Sequence, residues 1–370
     1  MKIGVLGAGR LGICFALLLE KAGYEVIASD IREDYVMDLR AGVIKTSEPQ
    51  VSRLLSESSN IVFVTNNIDV IEECDIIYTF VATPSLPDGS YDVSCIRQII
   101  KDFKHGDVDI EGKSLVIGCT TNPGDCDDFQ NHLEPYGVDV YYNPEFIAQG
   151  SIVKDLEHAD MVLVGGNGKH ILDIEKIYDD IQVETPNVYV MSRKAAELVK
   201  LAVNCYLTTK ISYANMIGQV MHKSGMGNEI DNVLDAIGSD TRVGHKYLGF
   251  GFGFGGPCLP RDNRAFAATA RKLGLEYNLG QVTDSFNEEH SNFLLEYYVN
   301  NNPQGLPYAF DSVAYKRGTD ILTESQQYKL CLGLLDLGYK VYVVDNIVEH
   351  HCDSRITWSI PEEKVIWIEL

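Results

Sequence analysis

Short apolar runs alternate with amphipathic stretches along the first half of this chain. Lys2–Leu6, Glu25–Ser29, Ile61–Thr65, Ile76–Val81, Leu115–Cys119, Val138–Tyr142 and Met161–Gly165 are runs of strand length, rich in Val and Ile. Between the first two, Leu11–Ala22 has apolar residues at helical spacing. This β–α alternation predicts an α/β fold built on a parallel, doubly wound sheet, with Asn187–Met191 as a further strand. From Ser192 the pattern changes. Leu198, Leu201, Ala202, Cys205, Tyr206, Thr209, Tyr213 and Ile217 recur at helical spacing with no breaker, which predicts one long central helix. Glu229–Ile237 and Asn263–Leu273 read as helices on either side of a glycine-rich loop. From about Gly305 the chain returns to strand Tyr308–Phe310, helix Glu324–Leu337, strand Val341–Val344 and strand Lys364–Ile368, a second and smaller α/β unit. The organisation expected is 1–191, a sheet domain; 192–290, a central helical region; and 291–370, a short C-terminal α/β domain.

Composition narrows the class of partner. The chain has 370 residues, 45% hydrophobic and 23% charged, with a formal net charge of −22. That charge disfavours nucleic acid and anionic membrane as partners. An anionic ligand would need a local cationic site, for which Lys200, Arg242, Lys246, Arg261 and Lys316 are candidates. No apolar run reaches bilayer length, and the chain opens directly into a strand-like MKIGVLG. Nine cysteines form no CxxC pair and no zinc-spaced cluster with histidine. The expectation is a reducing, cytoplasmic setting, no disulfide framework and no metal.

Gly7-Ala8-Gly9-Arg10-Leu11-Gly12 follows a strand and opens a helix, and Asp30 ends the next strand. In that context the glycines read as a Rossmann-type dinucleotide fingerprint. Gly7 permits the tight turn, Gly9 admits a pyrophosphate and Gly12 lets helix and strand pack. The helix N-terminus, at Arg10 and Leu11, offers N–H groups to phosphate. Asp30 would accept the ribose hydroxyls and favours NAD over NADP, although Arg32 stands nearby. Thr83-Pro84 closes a strand on the ligand side of such a sheet.

The run Gly251-Phe252-Gly253-Phe254-Gly255-Gly256-Pro257-Cys258-Leu259-Pro260-Arg261-Asp262 carries the second chemical signal. Glycines let backbone approach a ligand closely, and prolines stiffen the chain on both sides of Cys258. Two readings fit these residues alone: a thiol presented as a nucleophile, or a glycine-rich turn with an incidental cysteine.

GAGRLG, Glu48-Pro49, Thr83-Pro84, CTTNPG around Thr120, Asn143-Pro144-Glu145-Phe146, AELVKLAVNCY, Arg242-Val243-Gly244, GFGGPCLPRD and AYKRGTD occur in one order along the chain. In these segments the sequence resembles the UDP-glucose/GDP-mannose dehydrogenases. The resemblance implies an NAD-dependent four-electron oxidation of a nucleotide sugar's C6 alcohol to the carboxylate. It implies Cys258 as the nucleophile that forms a thiohemiacetal and then a thioester. Lys200 and Asn204, four apart on one helix face, would assist proton removal and stabilise the oxyanion. Asp262 would orient water or the lysine, Glu145 would be the base for thioester hydrolysis, and Thr120 would link that water network and touch the cofactor. Phe146, Arg242, Tyr247, Gly255, Arg261 and Lys316 fall on the substrate side. The resemblance also implies a homodimer packed across the long helix.

The chain departs from the family at several places. Gln149 stands where many members carry a second glutamate. Arg261 replaces a usual lysine, which keeps the charge and changes the geometry. Thr323 replaces an arginine on the cofactor side, and the C-terminal unit is short. UDP-glucose is the default substrate, with GDP-mannose or a UDP-N-acetylhexosamine as alternatives. A two-electron dehydrogenase of the 3-hydroxyacid or 6-phosphogluconate type, which would have no need of Cys258, and a non-catalytic nucleotide-binding relative stay open.

Overall fold

The computed structural model describes residues 1–105, 108–348 and 352–368. The chain forms two compact units, Met1–Lys200 and Leu201–Leu370.

In the first unit, β1 (Lys2–Leu6), α1 (Arg10–Lys21) and β2 (Glu25–Ser29) are followed by α2 (Glu33–Ala41), α3 (Val51–Glu57) and β3 (Ile61–Val64). Then come α4 (Asn67–Glu73), β4 (Ile76–Thr79), α5 (Ser94–Phe103), β5 (Ser114–Ile117), α6 (Asp125–Leu133) and β6 (Asp139–Tyr142). The sheet is completed by α7 (Ile152–Glu157), β7 (Met161–Gly165), α8 (Ile171–Ile181) and β8 (Asn187–Met191). The strand order is β3-β2-β1-β4-β5-β6-β7-β8. The order reverses between β1 and β4, which opens a crevice beyond their C-terminal ends. Alternate residues feed two apolar layers. Ile3, Val5, Ile76, Tyr78 and Val116 pack with Phe15 of α1 and Ile177 of α8. Leu6, Ile77, Leu115 and Ile117 pack with Val70, Ile96 and Phe129 of α4 to α6. With both faces covered, the strands read as continuous apolar runs rather than alternating ones.

One pair of strands departs from the parallel arrangement. β6 and β7 pair antiparallel through Tyr142 and Gly165, and β7 and β8 are then parallel to each other.

α9 (Arg193–Lys223) is the long helix, 31 residues. The second unit takes its greater part and adds α10 (Ile230–Gly238), α11 (Leu259–Lys272), α12 (Leu279–Asn300), β9 (Tyr308–Phe310), α13 (Gln326–Asp336), β10 (Val341–Val343) and β11 (Ile366–Ile368). The three strands form a parallel sheet in the order β10-β9-β11 around a core of Tyr308, Phe310, Val341, Leu330 and Leu334. α11 begins at Leu259, earlier than Asn263, because Pro260 is compatible with a first helical turn. Asp262 is therefore inside the helix and not its cap. α12 has no counterpart among the expected elements. Its buried face is Gly280, Thr283, Asn287, His290, Leu294 and Tyr298, which is helical spacing written mostly in polar residues. α9 buries polar residues too: Glu197, Lys200, Asn204, Thr208, Ser212 and Asn215 are buried beside Leu201, Cys205, Ala214 and Met221, while Leu198, Tyr206, Tyr213, Met216 and Val220 are exposed.

Candidate active site

The glycine turn has the geometry its spacing predicts. Gly7 has φ +92°, and a Cβ on Gly12 would stand 2.0 Å from the Gly7 carbonyl oxygen, so neither position accepts a side chain. Gly9 faces open space and is the N-cap of α1, with no side chain bonded to the helix's first N–H groups. The open approach at Gly9, at a helix start, fits a pyrophosphate. Asp30 is buried, and Arg32 grips its carboxylate through Nε and Nη2, both at 2.8 Å. A ribose hydroxyl would therefore share Asp30 with Arg32. Arg10 reaches Gln149 Oε1 at 3.4 Å, which sets the position that departs from the family beside the glycine turn. Thr83 is buried just past β4, with exposed Pro84 next to it. Thr120 lies just past β5, half-buried, and its neighbour Thr121 donates to Glu197.

Glu145 follows β6 on the same loop as Asn143. It is buried, and burial pushes its carboxyl up to about 7 against the pull of Tyr178 and Lys200. The Tyr178 hydroxyl bonds Glu145 Oε1 and lies 2.8 Å from Asn143 Oδ1. Lys200 Nζ donates to the Glu145 carbonyl oxygen at 2.8 Å and lies 4.7 Å from the centre of the Phe146 ring. Glu145, Phe146 and Lys200 thus form one cluster in the first unit. Two buried carboxylates brace it. Glu197 accepts from Thr121 Oγ1 (2.7 Å), Gly124 N (2.6 Å) and Cys126 N (2.9 Å), which fixes α9 to the start of α6. Glu48 accepts from Gly150 N (2.7 Å) and Ile152 N (3.3 Å), which pins the loop after Glu145.

The second unit holds the thiol. Cys258 is exposed and is the N-cap residue of α11, where the helix dipole favours negative charge. One turn on, Asp262 is buried, and Asn204 Nδ2 donates to its Oδ2 at 2.5 Å. The preceding loop is firmly held. Asn215 accepts from Gly251 N (3.0 Å) and donates to Phe252 O (3.3 Å). Asn287 bonds both backbone groups of Phe254 at 2.9 Å. His290 Nε2 lies 2.7 Å from Gly251 O. A Cβ on Gly255 would meet the Glu324 carbonyl oxygen at 2.4 Å, and one on Gly256 (φ +81°) would meet the Tyr315 ring at 2.4 Å. These glycines serve close packing of the loop on its own unit, not looseness.

Other expected residues stand apart from these clusters. Arg242 is exposed and paired with Asp240. Tyr247 is half exposed with φ +62°. Arg261 lies in the first turn of α11, and the Lys316 carbonyl oxygen accepts from Thr319 Oγ1 at 2.7 Å. Tyr178, Glu197, Asn215, Asn287 and His290 were not among the expected site residues. For Glu197, Asn215 and Asn287 the available signal was polar residues repeating every three or four positions in a helix. Among the described residues no group of His, Cys, Asp or Glu could hold a metal, and no helix is long and apolar enough to cross a membrane.

A dinucleotide turn, a buried carboxyl beside a lysine and a thiol at a helix start are the marks of a nucleotide-dependent dehydrogenase with a cysteine. Residues 1–182 match the NAD-binding domain of the UDP-glucose/GDP-mannose dehydrogenase family, and 194–289 match its central domain. The chain belongs to that family. It is 28% identical to the UDP-glucose 6-dehydrogenase AglM of Haloferax volcanii, over 96% of this chain and 85% of that protein. The structure of a UDP-glucose dehydrogenase from Pyrobaculum islandicum is similar to it, at 27% identity and TM-score 0.84, covering 100% of this chain and 86% of the other. The UDP-D-ManNAc dehydrogenase of Pyrococcus horikoshii shares the fold at 24% identity and TM-score 0.78, over 93% and 83% of the two chains.

Proposed function

We propose that this chain oxidises the C6 alcohol of a nucleotide sugar to the carboxylate, with UDP-glucose as substrate and UDP-glucuronate as product. The observation that carries this reading is the exposed Cys258 at the start of α11, one turn before the buried Asp262 that Asn204 holds. A two-electron dehydrogenase has no use for such a thiol. The UDP-glucose dehydrogenases to which the chain is similar support the choice of sugar.

NAD, bound at the glycine turn, supplies the hydride acceptor for both oxidations. Lys200 assists removal of the hydroxyl proton as C6 becomes an aldehyde. The Cys258 thiolate adds to that carbonyl, which holds the aldehyde and prevents its escape. Asn204 and Lys200 stabilise the oxyanion of the thiohemiacetal. Its oxidation leaves a thioester on Cys258, and Glu145 takes a proton from the water that hydrolyses it. Asp262 orients Asn204. The same reading takes the exposed apolar side of α9 as the surface of a homodimer.

Purified protein given UDP-glucose and NAD is expected to yield two NADH and one uronate per sugar. One NADH per sugar would replace this reading with the two-electron one, and no turnover with any nucleotide sugar would end it. Cys258→Ser is expected to lose uronate formation; a fully active variant rules out the covalent route.

A further inference from the structure

Tyr178, on α8, is fully buried in the first unit and is not part of the chemistry described so far. Its phenol oxygen sits between two acceptors, Glu145 Oε1 and Asn143 Oδ1, and it has one proton to give. Asn143 Nδ2 is committed to the Leu163 carbonyl oxygen at 2.9 Å, which leaves Oδ1 as the accepting end of that amide. The phenol therefore has two satisfied settings. With Glu145 ionised, the phenol donates to the carboxylate. With Glu145 protonated, the carboxyl donates to the phenol oxygen and the phenol donates to Asn143. A rotation about one C–O bond separates the two. A buried carboxyl ordinarily loses a partner in one of its protonation states, and an unpaired buried polar group is costly. Here Glu145 keeps the phenol as partner in both states, and it is Asn143 Oδ1 that gives up the phenol proton when Glu145 ionises.

We propose that Tyr178 is a positioning residue for thioester hydrolysis, its phenol keeping Glu145 hydrogen-bonded both before and after Glu145 takes a proton. The proposal rests on the reading of Glu145 as the base. In that step the water oxygen bonds to the thioester carbon while Glu145 takes one of its protons. The C–S bond breaks with its electron pair on Cys258 Sγ, and the carboxylic acid formed ionises. Two protons remain, one for the thiolate and one for solvent. The titratable groups that act on Glu145 are Tyr178 from α8, Tyr78 from β4 and Lys200 from α9. Burial dominates and raises the carboxyl, while the phenol bond and Lys200 lower it.

Two variants test this in opposite directions. Tyr178→Phe keeps the ring and removes the donor, so the titration midpoint of Glu145 rises. Asn143→Ala removes the competing acceptor and binds the phenol to the carboxylate, so the midpoint falls. The readout independent of turnover is the infrared carbonyl band of protonated Glu145, assigned by its loss in Glu145→Gln and followed across pH. In turnover, Tyr178→Phe should lower uronate formation at least tenfold, move the acid limb of the rate profile to higher pH, and leave an acyl adduct on Cys258 visible by mass spectrometry of quenched enzyme. Midpoints that do not move, or that move the same way in both variants, overturn the proposal even in an active enzyme. Opposite shifts in a protein whose wild type oxidises no nucleotide sugar would uphold the phenol–carboxyl pairing and overturn the hydrolysis reading instead.

Discussion

Burial sets the chemistry of Glu145 more than any neighbouring charge does. Its carboxyl titrates near 7 in the folded chain against 4.5 as a free side chain, so the folded state holds the proton more tightly between those values. Stability must then fall as pH rises from 4.5 toward 7, because the native state binds the extra proton. The effect is on the order of 3 kcal/mol. Glu145→Gln is expected to flatten this slope, which urea midpoints measured between pH 4.5 and 8 would detect; an unchanged slope would place the titration elsewhere. On the proposed mechanism the hydrolysis rate should run the other way, rising through about 7 as Glu145 loses its proton. Cys258, Lys200 and Asn204 were singled out through the resemblance of their segments to the family. The behaviour of Glu145 was not, because it comes from burial in the folded unit, opposed by a phenol on α8 that lies 33 residues away in the chain.

At the scale of elements, α9 and α12 share a construction in which much of the buried face is polar. On α12, Asn287 contributes both an acceptor and a donor to Phe254, and Thr283 donates to Asn263 Oδ1 at 3.2 Å. Asn263 in turn accepts from Thr208 of α9 at 2.9 Å. Asn287→Ala leaves two backbone groups of the loop unpaired, at a cost of about 1–3 kcal/mol each. It should lower the melting temperature and speed amide exchange at 251–256; unchanged exchange there would mean the loop is held by other contacts. This construction explains what the sequence hid. Strands and α1 were readable because their buried residues are apolar. α12 was not, because a search for apolar periodicity passes over Gly280, Thr283, Asn287 and His290. The antiparallel turn at β7 was hidden for a different reason: apolar runs carry no direction.

For the whole molecule, charge is the property that reaches furthest. A net charge of −22 opposes the approach of a dianionic sugar nucleotide at long range. Salt screens that field over about 10 Å at 0.1 M. The association rate of UDP-glucose should therefore rise with added salt, as stopped-flow binding would show; a steady fall would mean that local cations dominate from the start. The change of pattern at Ser192 and the return of strands after Gly305 suggest three regions, whereas the chain packs as two units that divide after Lys200. The glycine-rich loop leads to a different kind of consequence. Asn215, Asn287 and His290 tie down its backbone from Gly251 to Phe254 with bonds the chain makes to itself. Ordering a residue costs about 1–2 kcal/mol in conformational entropy. For these four residues that cost is met when the chain folds, and it does not recur each time a substrate arrives.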